Sequence, residues 1–125
     1  MENIFIKGTH KTPEVNFNFD KGELSIVGRS ISENPISFYK KLEEYIIEYI
    51  KRPQSKTNIK IILEYFNTST SKCLVDFFKL FEILPSQGKS ILVEWYYEQD
   101  DEEIMDSGED YKDIIDIPFE IKLLK

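Results

Sequence analysis

Four consecutive hydroxyl-bearing residues follow Asn67, and they are the part of this 125-residue sequence best suited to chemistry. Thr68, Ser69, Thr70 and Ser71 lie between an apolar run typical of a strand and an amphipathic pattern typical of a helix. At a helix start, a side-chain oxygen accepts hydrogen bonds from the free N–H groups of the first turn. The same position suits a phosphate, whose charge faces the positive end of the helix dipole. The residue types leave both roles open, a helix cap or a phosphorylation site.

No catalytic set accompanies the hydroxyl cluster. His10 is the only histidine and falls in a predicted loop, where a surface position is expected. Cys73 is the only cysteine, and its place in a helix pattern favours packing over nucleophilic chemistry. The sequence has no glycine-rich phosphate loop and no GxSxG, HExxH or CxxC motif. We therefore expect a protein that is not an enzyme and uses no cofactor.

Acidic side chains are concentrated near the end of the chain. Residues 94–116 contain eleven acids and one base, whereas the rest of the chain is close to balanced, and the net charge is −7. This charge opposes nucleic-acid binding and suggests attraction to a basic protein surface. A metal-assisted hydrolase using the acidic residues 98–110 is an alternative, but the run lacks the spaced ligands of an EF-hand loop. For residues 100–103 a solvated acidic loop is the simpler interpretation, and the role of the whole acidic segment 98–116 stays open.

The sequence also predicts a compartment. No apolar stretch approaches the length of a membrane span, and no signal-peptide pattern is present. A single cysteine without a partner fits the reducing cytoplasm. We expect a cytoplasmic protein with no membrane or nucleic-acid partner.

The elements that precede the hydroxyl cluster are two strands and a helix. Residues 15–19 alternate apolar and polar side chains, and residues 23–28 return after a turn, which predicts a hairpin. Asn34 is a suitable N-cap, and Pro35 suits the first helical position. The apolar residues of one predicted helix face are Phe38, Leu42, Tyr45, Ile46 and Tyr49.

The remaining elements surround and follow the cluster. Residues 59–66 form a β-favouring run typical of a central strand, and residues 74–84 repeat apolar side chains at helical spacing. Residues 90–97 and 118–124 predict two further strands. The acidic segment between them has some helical spacing, which Gly108 is expected to interrupt.

This order of elements predicts the fold class. Strand–helix–strand–helix–strand implies two right-handed crossovers and a partly parallel sheet. We expect residues 1–125 to form a single small α/β domain, with a mixed sheet and helices packed mainly on one face.

Several short motifs occur in a particular order and spacing along the chain. They are Thr12-Pro13, Gly28-Arg29-Ser30, Glu33-Asn34, Tyr65-Phe66-Asn67-Thr68-Ser69, Ser71-Lys72, Trp95-Tyr96-Tyr97, Asp100-Asp101-Glu102 and Gly108-Glu109-Asp110. Together they resemble the SiaC family of bacterial regulatory phosphoproteins, and the resemblance covers essentially the whole chain.

The resemblance implies a fold similar to STAS-like anti-sigma-factor antagonist domains and the logic of a partner-switching antagonist. It implies a non-enzymatic switch that a dedicated serine/threonine protein kinase phosphorylates and a PP2C-type phosphatase restores. The unphosphorylated form of such proteins activates a GGDEF diguanylate cyclase, which raises cyclic di-GMP and promotes biofilm formation and aggregation. A purely structural interaction module, in which residues 67–71 only cap a helix, is the remaining alternative.

By motif position, the resemblance implies that Thr68 is the phosphorylated residue, with Ser69 or Thr70 as neighbouring alternatives. The remaining hydroxyls are then expected to cap the helix. The predicted surroundings of the phosphorylation site are Arg29, Ser30, Asn67, Ser69, Thr70, Ser71 and Lys72.

Overall fold

Six strands form one mixed sheet in which the spatial order follows the chain order. The computed structural model describes residues 1–125. The strands are β1 (Ile4–Ile6), β2 (Glu14–Asn18), β3 (Glu23–Ser30), β4 (Lys56–Phe66), β5 (Ser90–Tyr97) and β6 (Phe119–Leu123). Strands β1 to β3 pair antiparallel, and β3 to β6 pair parallel. The predicted hairpin of β2 and β3 is confirmed.

Three helices connect the parallel strands: α1 (Pro35–Tyr49), α2 (Thr68–Lys79) and α3 (Glu102–Ile114). Right-handed crossovers between strands that follow one another in a single direction place every helix on the same face of the sheet. The strands alternate between buried and solvent-facing side chains accordingly, as in β4, where Ile59 and Ile61 are fully buried and Lys60 is exposed. The predicted α/β fold with helices on one face is confirmed, with three crossovers where the sequence predicted two.

The first two helices differ from their predictions at their ends. Asn34 occupies the N-cap position of α1, but its side chain makes no capping hydrogen bond. Helix α2 ends at Lys79, earlier than predicted, and the chain continues in two short 3₁₀ turns, Leu80–Ile83 and Pro85–Gln87. The aromatic residues of this region still reach the core, since Phe77, Phe78 and Phe81 are fully buried.

One expectation for the acidic segment was wrong. Residues 102–114 form a helix, which the sequence had left open against a loop, and α3 continues through Gly108 without the predicted interruption. Gly108 is buried against the only tryptophan, Trp95, at a distance that leaves no room for a side chain. Asp101 begins the helix, because its side chain accepts a hydrogen bond from the Ile104 N–H at 3.1 Å. The acids of α3 lie on its solvent side, and Ile104 and Tyr111 lie on its buried side.

No helix in the structure has both the length and the apolar character that crossing a membrane requires.

Candidate functional site

The hydroxyl cluster lies where the end of β4 turns into α2, beside the end of β3. In the register of the two strands, Ser30 lies opposite Phe66 and Arg29 lies opposite Tyr65. The register shifts by one residue between Gly28 and Arg29, where Glu64 of β4 has no partner on β3, and the φ of +125° at Gly28 is a conformation that other residues rarely adopt. This register shift places Ser30 opposite the last residue of β4, next to the start of α2. The sequence did not predict the shift, although a glycine inside a strand pattern is a usual signal of such an irregularity.

Asn67 is the residue that caps α2. Its Oδ1 accepts a hydrogen bond from the Thr70 N–H at 3.0 Å, and its Nδ2 donates to the carbonyl oxygen of Ser32 at 2.9 Å. The expectation that Ser69, Thr70 and Ser71 cap the helix was therefore wrong. Asparagine is among the best N-cap residues, so its place before the four hydroxyls was the signal for this role.

Two of the four hydroxyls join secondary-structure elements. Thr70 is fully buried, and its Oγ1 lies 2.9 Å from the Ser30 Oγ and 3.0 Å from the Ser30 carbonyl oxygen. The Ser71 Oγ, which is partly buried, lies 2.9 Å from the Tyr111 Oη of α3. The structure thus argues against Thr70 as an acceptor of phosphate in the folded protein, because its hydroxyl is inaccessible.

The other two hydroxyls, those of Thr68 and Ser69, are exposed at the first two positions of α2. The N–H groups at these positions have no acceptor within the helix. Free N–H groups at a helix start favour a nearby anion. Thr68 and Ser69 are therefore the only two residues of the cluster that a kinase reaches without opening the fold.

Lys72 and Arg29, two of the predicted surroundings of the cluster, have no carboxylate partner, since the ion pairs of the structure involve only Lys51 and Lys122 as cations. Lys72 is exposed and lies one helical turn after Thr68, a spacing that brings side chains together on a helix. Arg29 precedes Ser30, whose side chain is buried against α1 and α2, so the Arg29 side chain lies on the other face of the sheet. There its guanidinium contacts the exposed His10, with 3.5 Å between its Nη1 and the imidazole Nδ1. Lys72 is therefore the cation that offers positive charge to the exposed hydroxyls, and the structure does not bring Arg29 to them.

Two further reactive groups, the Cys73 thiol and the Glu94 carboxyl, lie in surroundings that packing and pairing explain. Burial raises the pKa of the Cys73 thiol, and the nearby Asp76 and Glu43 raise it further, so the thiolate is disfavoured. Burial favours a raised pKa for Glu94, but hydrogen bonds from Lys122, at 2.6 Å, and from Asn58 outweigh it, and the pKa of this carboxyl is lowered. Both groups are accounted for by packing and pairing.

The acidic segment does not form a metal site. No three histidine, cysteine, aspartate or glutamate side chains come together in a group that could hold a metal ion. Residues 98–110 therefore lack the convergent ligands that a metal-assisted hydrolase requires.

The capping geometry gives a direct test of the start of α2. Asn67→Ala is expected to lower the free energy of unfolding by about 1–2 kcal/mol, because it removes a cap and a hydrogen bond to the Ser32 carbonyl. Asn34→Ala is the matched control, since Asn34 holds the same position on α1 without a capping bond. Urea denaturation measures both. Equal losses for the two variants would contradict the assigned cap.

Comparison with known proteins identifies relatives over nearly the whole chain. The model of the SiaC family regulatory phosphoproteins matches residues 6–124. An uncharacterized protein of Pseudomonas aeruginosa strain UCBPP-PA14 is 25% identical over 122 residues, which cover 98% of this chain and 97% of that protein.

Solved structures give the same result. The chain is similar to SiaC of Pseudomonas aeruginosa, with a TM-score of 0.88, 25% identity and coverage of 99% of this chain and 100% of that one. It is also similar to a chain in the crystal structure of the diguanylate cyclase SiaD in complex with its activator SiaC from Pseudomonas aeruginosa. That match has a TM-score of 0.89 and 25% identity, and covers 97% of this chain and 99% of the other.

Proposed function

Because this chain belongs to the SiaC family of regulatory phosphoproteins, we propose that it is a non-enzymatic signalling switch controlled by reversible phosphorylation of Thr68. The unphosphorylated form binds and activates a GGDEF diguanylate cyclase in the cytoplasm and so raises cyclic di-GMP. A serine/threonine protein kinase phosphorylates Thr68 and ends the activation, and a PP2C-type phosphatase restores it. The partner class is supported by the Pseudomonas aeruginosa SiaC, which activates the diguanylate cyclase SiaD.

The assignment of phosphorylation to Thr68 is supported by the difference in exposure and contacts among the four hydroxyls at the start of α2. Thr68 is exposed and is the first residue of the helix, whereas Thr70 is fully buried and Ser71 contacts Tyr111. A phosphate on Thr68 therefore meets free N–H groups and the Lys72 side chain instead of a packed core. The domain accommodates the modification without unfolding, and the change is confined to the surface.

A change confined to the surface is sufficient for a switch. The phosphate adds between about one and a half and two negative charges and strong acceptor oxygens. A partner that packs on this surface loses contacts and has to desolvate the added charge. Each tenfold change in affinity requires only about 1.4 kcal/mol.

Phosphate mapping after incubation with the serine/threonine kinases of the same organism tests the assigned site. We expect one phosphate per chain on Thr68, none on Thr68→Ala, and an unchanged level on the matched variant Ser69→Ala. The PP2C-type phosphatase should remove the phosphate. Peptide mass spectrometry measures each result. Modification elsewhere with Thr68 untouched would refute the site, and the absence of any phosphorylated form in cells would favour the purely structural interaction module.

A further inference from the structure

Tyr39, Ser30 and Thr70 form a continuous chain of buried hydroxyl groups, which we call the hydroxyl latch. Their exposed fractions are 1%, 2% and 0%. The Thr70 Oγ1 donates its single proton to the Ser30 carbonyl oxygen at 3.0 Å. The Ser30 Oγ must therefore donate in its 2.9 Å contact with the Thr70 Oγ1. The Tyr39 Oη must in turn donate to the Ser30 Oγ at 2.9 Å.

The hydroxyl latch joins three elements at the start of α2. Tyr39 belongs to α1, Ser30 ends β3, and Thr70 lies in the first turn of α2. Asn67 adds to the connection, since its N–H donates to the Ser30 carbonyl oxygen at 3.1 Å and its Oδ1 accepts from the Thr70 N–H. Every member has a satisfied partner, so the network rigidifies this turn.

We propose that the hydroxyl latch determines which hydroxyl of α2 is phosphorylated, with Ser30 and Thr70 as positioning residues that present Thr68, and not Ser69, to the kinase. This inference rests on the proposed function. The hydroxyl latch is then the part of the fold that restricts phosphorylation to a single residue.

The reason is that Thr68 and Ser69 differ in direction and not in accessibility. Both are exposed, and successive residues on a helix point about 100° apart. Phosphoryl transfer requires the acceptor oxygen in line and within about 3–3.5 Å of the reacting atom. A rigid first turn therefore offers one hydroxyl to a docked kinase. When the turn frays, the two hydroxyls exchange positions and both are modified.

The test compares two buried threonines in the full-length protein. Thr70→Val removes the inner end of the latch, with both of its hydrogen bonds to Ser30, and keeps the shape of the side chain. Thr57→Val is the matched control, because Thr57 is also fully buried and bonds a tyrosine hydroxyl, that of Tyr49, at 2.8 Å near the start of β4. Thr70→Ser keeps the hydroxyl and serves as the rescue. Each protein is treated with the kinase, and mass spectrometry gives the ratio of phosphate on Ser69 to phosphate on Thr68.

We expect this ratio to rise about tenfold in Thr70→Val, the change that one to two buried hydrogen bonds contribute to an equilibrium. It should stay at the wild-type value in Thr57→Val and return toward it in Thr70→Ser. Amide hydrogen exchange provides a readout without the kinase: exchange of the Thr70 and Ser71 N–H groups, which donate to Asn67, should accelerate in Thr70→Val and not in Thr57→Val.

The outcomes separate the two proposals. A wild-type ratio in Thr70→Val, or unchanged exchange of the Thr70 and Ser71 N–H groups, overturns the role of the latch while phosphorylation of Thr68 stands. A wild-type protein modified on neither residue overturns the proposed function as well. If Thr70→Val does not fold, Tyr39→Phe replaces it, since that variant removes only the outermost hydrogen bond, and the ratio should rise by a smaller factor.

Discussion

Gly108→Ala is expected to destabilise the protein by about 3 kcal/mol, the upper part of the range for overpacked cores. A Cβ at this position would lie 2.5 Å from the Trp95 Cδ1 and 2.8 Å from its Nε1. The indole ring has no free direction in which to move. It is fully buried, it packs against Phe66, Tyr111 and Phe119, and its Nε1 donates to the Ile104 carbonyl oxygen at 2.7 Å.

Helix α3 would therefore have to shift, and its buried face would leave the core. The predicted loss of stability has the opposite sign to the usual effect, because Gly→Ala in an exposed helix interior stabilises a protein by up to about 1 kcal/mol. The test therefore distinguishes a buried clash from an ordinary helix position. Urea denaturation followed by the fluorescence of Trp95, the only tryptophan, measures the loss at the site of the clash. Asp106→Ala, on the exposed side of the same helix, is the control and should stay within about 0.5 kcal/mol of wild type. A Gly108→Ala protein at least as stable as wild type would contradict the packing.

The same contact connects the acidic helix to the candidate site. Tyr111 packs on Trp95 and carries the hydroxyl that contacts the Ser71 Oγ in the first turn of α2. A shift of α3 in Gly108→Ala would therefore reach the turn that carries Thr68 as well as the core. The position of Thr68 depends on the packing of α3 as well as on its own helix.

Local patterns predicted most of the fold. The alternation of β2, the turn before β3 and the helical spacing in α1 are short-range signals, and the structure confirms the elements that they predict. The helical spacing of the acidic segment was visible, but its continuity was not predicted, because Gly108 looks like a helix breaker when its neighbour in space is unknown. Trp95 lies thirteen residues away in the sequence, and only the packed structure shows that the glycine serves close approach.

The candidate site was harder to predict than the fold. Four similar hydroxyls follow one another, and no local rule separates the buried Thr70 from the exposed Thr68. Burial of Thr70 depends on Ser30, which lies forty residues earlier and is placed by the register shift that follows Gly28. Sequence patterns predicted that the two segments meet at one end of the sheet, since parallel strands end at the same edge. They did not predict which hydroxyls are buried and hydrogen-bonded where the two segments meet.

Phosphorylation of Thr68 is expected to weaken cyclase binding by at least about 100-fold, which corresponds to about 2.7 kcal/mol. Thr68 is exposed at the first position of α2, so a partner that docks there packs directly on the added charge. Such an interface has to desolvate a dianion, and leaving a buried charge without a partner costs about 3–5 kcal/mol. Lys72 offsets part of this cost, which is why the estimate lies below that range.

The measurement combines calorimetric titration of the cyclase with an assay of cyclic di-GMP synthesis. Thr68→Ala should bind as the unphosphorylated protein does and should keep activating the cyclase in the presence of kinase and ATP. Ser69→Ala, the matched control, should lose both properties when phosphorylated. The melting temperature of the phosphorylated protein separates two routes to release, because a phosphate accommodated at the start of α2 leaves it unchanged or raised, whereas local unfolding lowers it. A phosphorylated protein that binds and activates as strongly as the unphosphorylated one would contradict the switch itself.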